Sequence, residues 1–129
     1  MMAKRLSKAL RGKRRWLGIE CSAEFTSRSS LAKQISSVLQ SSEVPEEFRL
    51  MDFHPSGSED AVFASEKLGL SEERGFAILE IPHPSYQEVR LCFGASDSYT
   101  QHGIASRTSS GKIRLVRERL MLPRPNRKS

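Results

Sequence analysis

The side chains best suited to catalysis are scattered along this chain without partners. His54, His83 and His102 each sit beside a turn or in a polar stretch, and no Cys or His stands at metal-ligand spacing from any of them. There is no glycine-rich phosphate loop and no G-x-S-x-G elbow. Cys21 and Cys92 lie inside apolar runs, Leu17-Gly18-Ile19-Glu20-Cys21 and Val89-Arg90-Leu91-Cys92-Phe93. That setting reads as two reduced core thiols rather than a disulfide, and a buried thiol is a poor nucleophile. Asp52 falls at a strand end, and Glu59-Asp60 falls in a polar stretch where acid pairs are usually solvated. The expectation is therefore no catalytic residue, no metal site and no cofactor held by this chain.

The chemistry that does stand out is cationic. Residues 1–15 carry seven Lys or Arg and no acid. Residues 107–129 carry eight against Glu118 alone. Between them, 16–106 holds six basic and fourteen acidic residues, so the formal net charge of +6 conceals an acidic body with two basic ends. Solubility alone requires no such asymmetry, whereas contact with a polyanion does. Part of the second cluster falls on a helix, which separates it from a merely solvated tail. Trp16, flanked by Arg14 and Arg15, is the one aromatic placed to stack on a base, and it also suits a half-buried strand position. The aromatic pattern of an RNA-recognition sheet, K/R-G-F/Y-G/A-F-V-x-F/Y, is missing, and Phe53 and Phe76 read as core.

The elements that must position these cations follow from periodicity. Leu17, Ile19 and Cys21 alternate with Trp16, Gly18 and Glu20, predicting a half-buried strand over 15–21. Ser27, Ser29 and Ser30 offer caps for a helix to about Leu39, with Leu31, Ile35, Val38 and Leu39 on one face. Residues 48–53 read as a second strand. The stretch 54–74 is polar; Ala61, Val62, Ala64, Leu68 and Leu70 within it suit a short helix, expected to pack loosely on one edge. The apolar run 76–81 is a third strand. Pro84 suits the first turn of a helix running from about Ser85 to Phe93 and bearing Tyr86, Val89 and Phe93, and Gly94 stops it. A polar fourth strand is expected over 98–106 around Ile104, at a sheet edge. The last helix is expected from about Ser110 to Leu120, with Ile113, Val116 and Leu120 on one face, before Met121-Leu122-Pro123 ends it.

The order β-α-β-β-α-β-α predicts an α+β sandwich of the ferredoxin-like, RNA-recognition-like type, a four-stranded antiparallel sheet with helices packed on it. A chain of 129 residues suits one such domain, here 15–121, between a basic N-terminal tail at 1–14 and a basic C-terminal tail at 122–129. No apolar run approaches the ~18 residues of a membrane span. The N-terminus has no secretory apolar region; its Arg-rich, acid-free character also fits a transit peptide, but no spacer separates it from the first strand.

Three stretches taken together resemble a known family. Leu10-Arg11-Gly12-Lys13-Arg14-Arg15-Trp16-Leu17-Gly18-Ile19-Glu20 is similar to the opening of the archaeal and eukaryotic ribonuclease P protein component 2 family, in which a basic run ending in an aromatic enters the first strand. Phe76-Ala77-Ile78-Leu79-Glu80-Ile81 with Tyr86-Gln87-Glu88-Val89-Arg90 resembles its third strand and the following helix. Ser110-Gly111-Lys112-Ile113 through Leu120 resembles its closing S-G-T-I-K-K helix. The resemblance implies a subunit of the ribonucleoprotein that removes 5′ leaders from precursor tRNA, an endoribonuclease whose RNA does the chemistry with Mg²⁺. It implies ribonuclease P RNA and the component 3 subunit as partners, in a heterodimer or heterotetramer in the cytoplasm. Carried over by position, the RNA contacts would be Arg11, Lys13, Arg14, Arg15, Lys112, Arg114 and Arg117, with Trp16 beside them.

The chain departs from the family pattern at several points. Lys112 stands where the family has threonine, the 54–74 stretch is longer and more polar, and Arg107-Thr108-Ser109 lacks the usual apolar lead into Ser110-Gly111. These departures bear on the edge strand and the partner surface. The basic ends alone also suit a general RNA-binding or ribosome-associated protein. A non-catalytic ferredoxin-like regulatory module would leave them unexplained.

Overall fold

The computed structural model describes residues 14–123. Four strands, β1 (Arg14–Cys21), β2 (Arg49–His54), β3 (Gly75–Pro82) and β4 (Ile104–Ser110), pair antiparallel in the order β2-β3-β1-β4. Five helices connect or follow them: α1 (Arg28–Ser41), α2 (Glu59–Lys67), α3 (His83–Gly94), α4 (Ser98–His102) and α5 (Ile113–Arg119). This is the ferredoxin-like α+β layout, with the short helix expected within 54–74 present as α2 and with α4 added. Among the described residues no helix is long and apolar enough to cross a membrane.

The first face of the sheet holds the larger core. Alternation along the two central strands turns Leu17, Ile19 and Cys21 of β1 and Ala77, Leu79 and Ile81 of β3 to one side. There they meet Leu31, Ile35, Val38 and Leu39 of α1 and Tyr86, Val89 and Phe93 of α3. The start of α1 is fixed by a reciprocal cap: the Ser27 hydroxyl accepts from the Ser30 N–H, and the Ser30 hydroxyl is paired with the Ser27 N–H. α3 follows β3 without a loop, starting at His83 with Pro84 in its first turn, where a missing N–H leaves no bond unmade.

The second face is covered as well, which corrects the expectation for 54–74. α2 does not lie loosely on an edge. Its Ala61 and Ala64 are fully buried in a second cluster with Phe76 and Ile78 of β3 and with Val116, Leu120 and Leu122. Ser58 caps α2 by accepting from the Ala61 N–H, and Glu59 and Asp60 in the first turn with Lys67 in the last suit the helix dipole. α5 lies close over β1 because Gly18 has no side chain. A Cβ there would stand 2.8 Å from Leu120 Cδ1 and 2.8 Å from Val116 Cγ1.

Two boundaries also differ from expectation. The polar stretch expected as a strand over 98–106 is divided. α4 takes Ser98–His102, Gly103 ends it in the left-handed region at φ 75°, and β4 runs from Ile104 to Ser110 at the sheet edge. Ser98 is buried, and its hydroxyl donates to the Ile104 carbonyl, tying the short helix to the strand. The last helix starts at Ile113 instead of Ser110, because Ser110-Gly111-Lys112 forms the turn that leaves β4. It closes with Met121 at φ 61°, the Met121 N–H donating to Glu118 and the Leu122 N–H to Arg117. For a residue with a Cβ, that conformation costs roughly 1–2 kcal/mol.

Candidate nucleic-acid interface

Register decides where the cations gather. β1 runs antiparallel to β4, so Trp16 faces Ser110 and Leu17 faces Ser109. The point at which the basic N-terminal run enters the sheet therefore lies beside the Ser110-Gly111-Lys112 turn, almost a hundred residues away in sequence. Arg15 joins the two. Its guanidinium lies 5.1 Å over the Tyr86 ring of α3, and its Nη1 is 3.8 Å from where a Cβ on Gly111 would be. Its Nε is buried with no hydrogen-bond partner among the described residues. Lys112, which follows Gly111 in the chain, and Arg114, in the first turn of α5, are exposed. Arg119, exposed as well, donates to the Ser109 carbonyl at 2.8 Å. Arg119 was not among the expected contacts, and its pairing with Ser109 has no signal in the sequence because it forms only when α5 packs beside β4.

The remaining residues of the expected set divide differently. Arg11 and Lys13 lie outside the described residues. Arg14 keeps half its side chain exposed, but its Nε is 2.8 Å from Glu80. Trp16 is half-buried and packs against the second-face cluster, so the fold itself uses part of its ring. Arg117 does not stand with Lys112 and Arg114. Its Nε and Nη2 donate to the two Asp52 oxygens at 2.7 and 3.3 Å, tying α5 to β2. With side-chain exposures of 17% and 14%, this pair is a fastening of the fold rather than a free cation.

Two further carboxylates absorb positive charge at opposite ends of the second face. Glu80 receives Arg14 and, at 3.5 Å, Arg49. Glu20 receives Arg74 at 2.9 Å and Arg107 at 3.4 Å. Arg74 also lies 3.7 Å over the Tyr99 ring. Burial works against the Arg74 charge, yet the hydrogen bond and the charge of Glu20 outweigh it and hold that guanidinium above its usual range. Both glutamates are nearly buried. They account for arginines that would otherwise count toward a basic surface.

Of the side chains weighed for catalysis, His54 and Asp60 come together. Among the described residues no three His, Cys, Asp or Glu side chains converge as a metal-binding group. His54 Nδ1 is 3.5 Å from Asp60. Cys21 and Cys92 are free thiols, and burial, with the Glu20 charge adding to it, pushes the Cys21 thiol up to about 12. Helices cover both sheet faces, and Phe76 is fully buried, so the open aromatic platform of an RNA-recognition sheet is not formed. No family model matches the chain, and no curated protein and no solved structure matches it either.

Proposed function

We propose that this chain is a non-catalytic RNA-binding subunit of a cytoplasmic ribonucleoprotein of the ribonuclease P type. It would support the catalytic RNA in removing 5′ leaders from precursor tRNA. The observation that carries the reading is the convergence on Arg15. The three stretches of family resemblance, distant in sequence, meet where Arg15 stacks on Tyr86 and reaches Gly111. Stacking and partial burial hold the guanidinium in place, so little side-chain entropy is lost when it meets a phosphate. Lys112 and Arg114 add exposed charge just after Gly111 in the chain. Such a corner neutralises backbone phosphates without reading bases. Its effect would be to let RNA helices approach and to lower the Mg²⁺ they need, the ion residing on the RNA. The component 3 subunit is the protein partner this reading names.

The test is precursor tRNA cleavage by a cognate catalytic RNA with this chain and the component 3 subunit, across Mg²⁺ and salt. Rescue at low Mg²⁺ that needs both proteins is expected. Arg15→Glu with Lys112→Glu is expected to abolish that rescue and to flatten the dependence of log affinity on log salt by about two units. Salt-sensitive RNA binding without rescue would leave only a general RNA-binding protein. Full rescue by the double variant would overturn the assignment of the corner.

A further inference from the structure

On the second face, away from the Arg15 corner, α2 and the end of α5 leave an apolar crease of about 450 Å³. Phe63, Met121, Leu122 and Pro123 line it together with the carboxylates of Asp60 and Glu118. Phe63 is 50% exposed and Met121 38%, two of the three large apolar side chains left in solvent among the described residues. The crease is acidic in character, since Glu59 and Glu66 also stand exposed on α2. Among the described residues Lys67 also lies beside it, its ammonium 5.4 Å from the centre of the Phe63 ring.

Met121 supplies an independent observation. It occupies the left-handed position that closes α5, at φ 61°, where glycine is favoured because it has no Cβ. Glycine would make the same closing bonds without strain. What the chain retains at that cost is a flexible thioether lining the same crease as a half-exposed aromatic ring, a combination that adapts to varied apolar surfaces. Nucleic acid is a poor occupant, because phosphates would meet carboxylates. A second copy is also poor, because it would bring Asp60 and Glu118 against a like-charged crease.

We infer that this crease docks a partner polypeptide that presents an apolar anchor flanked by Lys or Arg. The anchor fills the space between Phe63 and Met121, and its flanking cations pair with Asp60 and Glu118. The inference does not depend on the RNA reading, because it uses a different surface and opposite charge.

The probes are two short synthetic peptides with leucine at every third or fourth position, one with lysine between the leucines and one with glutamate. Binding to the full chain is followed by amide chemical shifts and fluorescence anisotropy. The lysine peptide is expected to shift amides in α2 and at Met121–Leu122, and to bind about tenfold more tightly than the glutamate peptide. Phe63→Ser, a surface change, is expected to remove that binding and leave Tm close to wild type. Met121→Gly is expected to raise Tm by roughly 2–6 °C while weakening the lysine peptide. A purely structural methionine would not separate these two effects. Equal binding of both peptides, shifts outside the crease, or unchanged affinity in either variant would overturn the inference. So would a concentration-dependent dimer abolished by Phe63→Ser, which would name a second copy as the occupant.

Discussion

The two faces of the sheet reach burial by different means. The first face is filled by large aliphatic and aromatic side chains from α1 and α3 that interdigitate with β1 and β3. The second is built by subtraction. Gly18, Ala61 and Ala64 remove volume so that α5 and α2 can lie close, and ion pairs fasten the periphery. Non-directional burial on the first face scales with area, so its loss is felt in proportion to the atoms removed. On the second face the fit depends on what is absent, and adding atoms is as harmful as removing them.

The largest separation between the faces is expected from Phe93→Ala. Phe93 is fully buried in the first-face cluster, and its removal should cost about 3–5 kcal/mol in denaturant unfolding. A smaller loss would mean that α1 and α3 collapse into the space. On the second face the equivalent disruption is an addition. Gly18→Ala places a methyl against Leu120 Cδ1 and Val116 Cγ1 and should cost roughly 1–3 kcal/mol. Both contacts are ends of side chains, so a cost near zero would show that α5 shifts freely over β1. Arg117→Ala tests the fastening. It leaves Asp52 largely buried without its partner and should cost about 1–2 kcal/mol, after allowing for the pair's residual exposure. RNA affinity should keep its salt dependence in this variant. A flatter dependence would return Arg117 to the set of RNA contacts.

The same contrast explains what was legible in the sequence. Period-two alternation at Leu17, Ile19 and Cys21 and the helical spacing of Leu31, Ile35, Val38 and Leu39 mark the first face, because large apolar residues carry strong periodic signals. The second face carries weak ones. Ala61 and Ala64 are small, and the larger apolar residues of α2, Val62 and Phe63, are not the ones it buries, so its packing on the sheet did not show. The 98–106 stretch has one strong apolar residue, Ile104, and α4 is a single short turn held by Ser98 and closed at Gly103; that glycine was the only local sign of a break. For the candidate interface, charge density located the right segments. It did not separate Arg15 and Lys112 from Arg117, because Asp52 lies 65 residues away in sequence and pairs only once β2 and α5 are packed. Stacking of Arg15 on Tyr86 is tertiary in the same way.

Alkaline titration gives the smallest separation and reports on the seam between the two faces. Cys21 belongs to the first-face cluster, while its neighbour Glu20 points to the second and carries Arg74 and Arg107. In the unfolded chain a cysteine ionises near 9.0, whereas burial keeps Cys21 protonated in the native state until about 12. Between those values the unfolded chain binds fewer protons than the folded one, so stability must fall as pH rises through this window and is unaffected below it. Tyr99, also held above its usual range by burial, acts in the same direction at the upper end. At pH 10 the Cys21 contribution should be about 1 kcal/mol, one pH unit above the unfolded value. The measurement is urea unfolding at pH 8 and pH 10 for wild type and Cys21→Ala, with the variant showing the shallower loss. Equal slopes would mean that Cys21 ionises in the native state, and hence that the seam between β1 and β4 opens to solvent more readily than its burial implies.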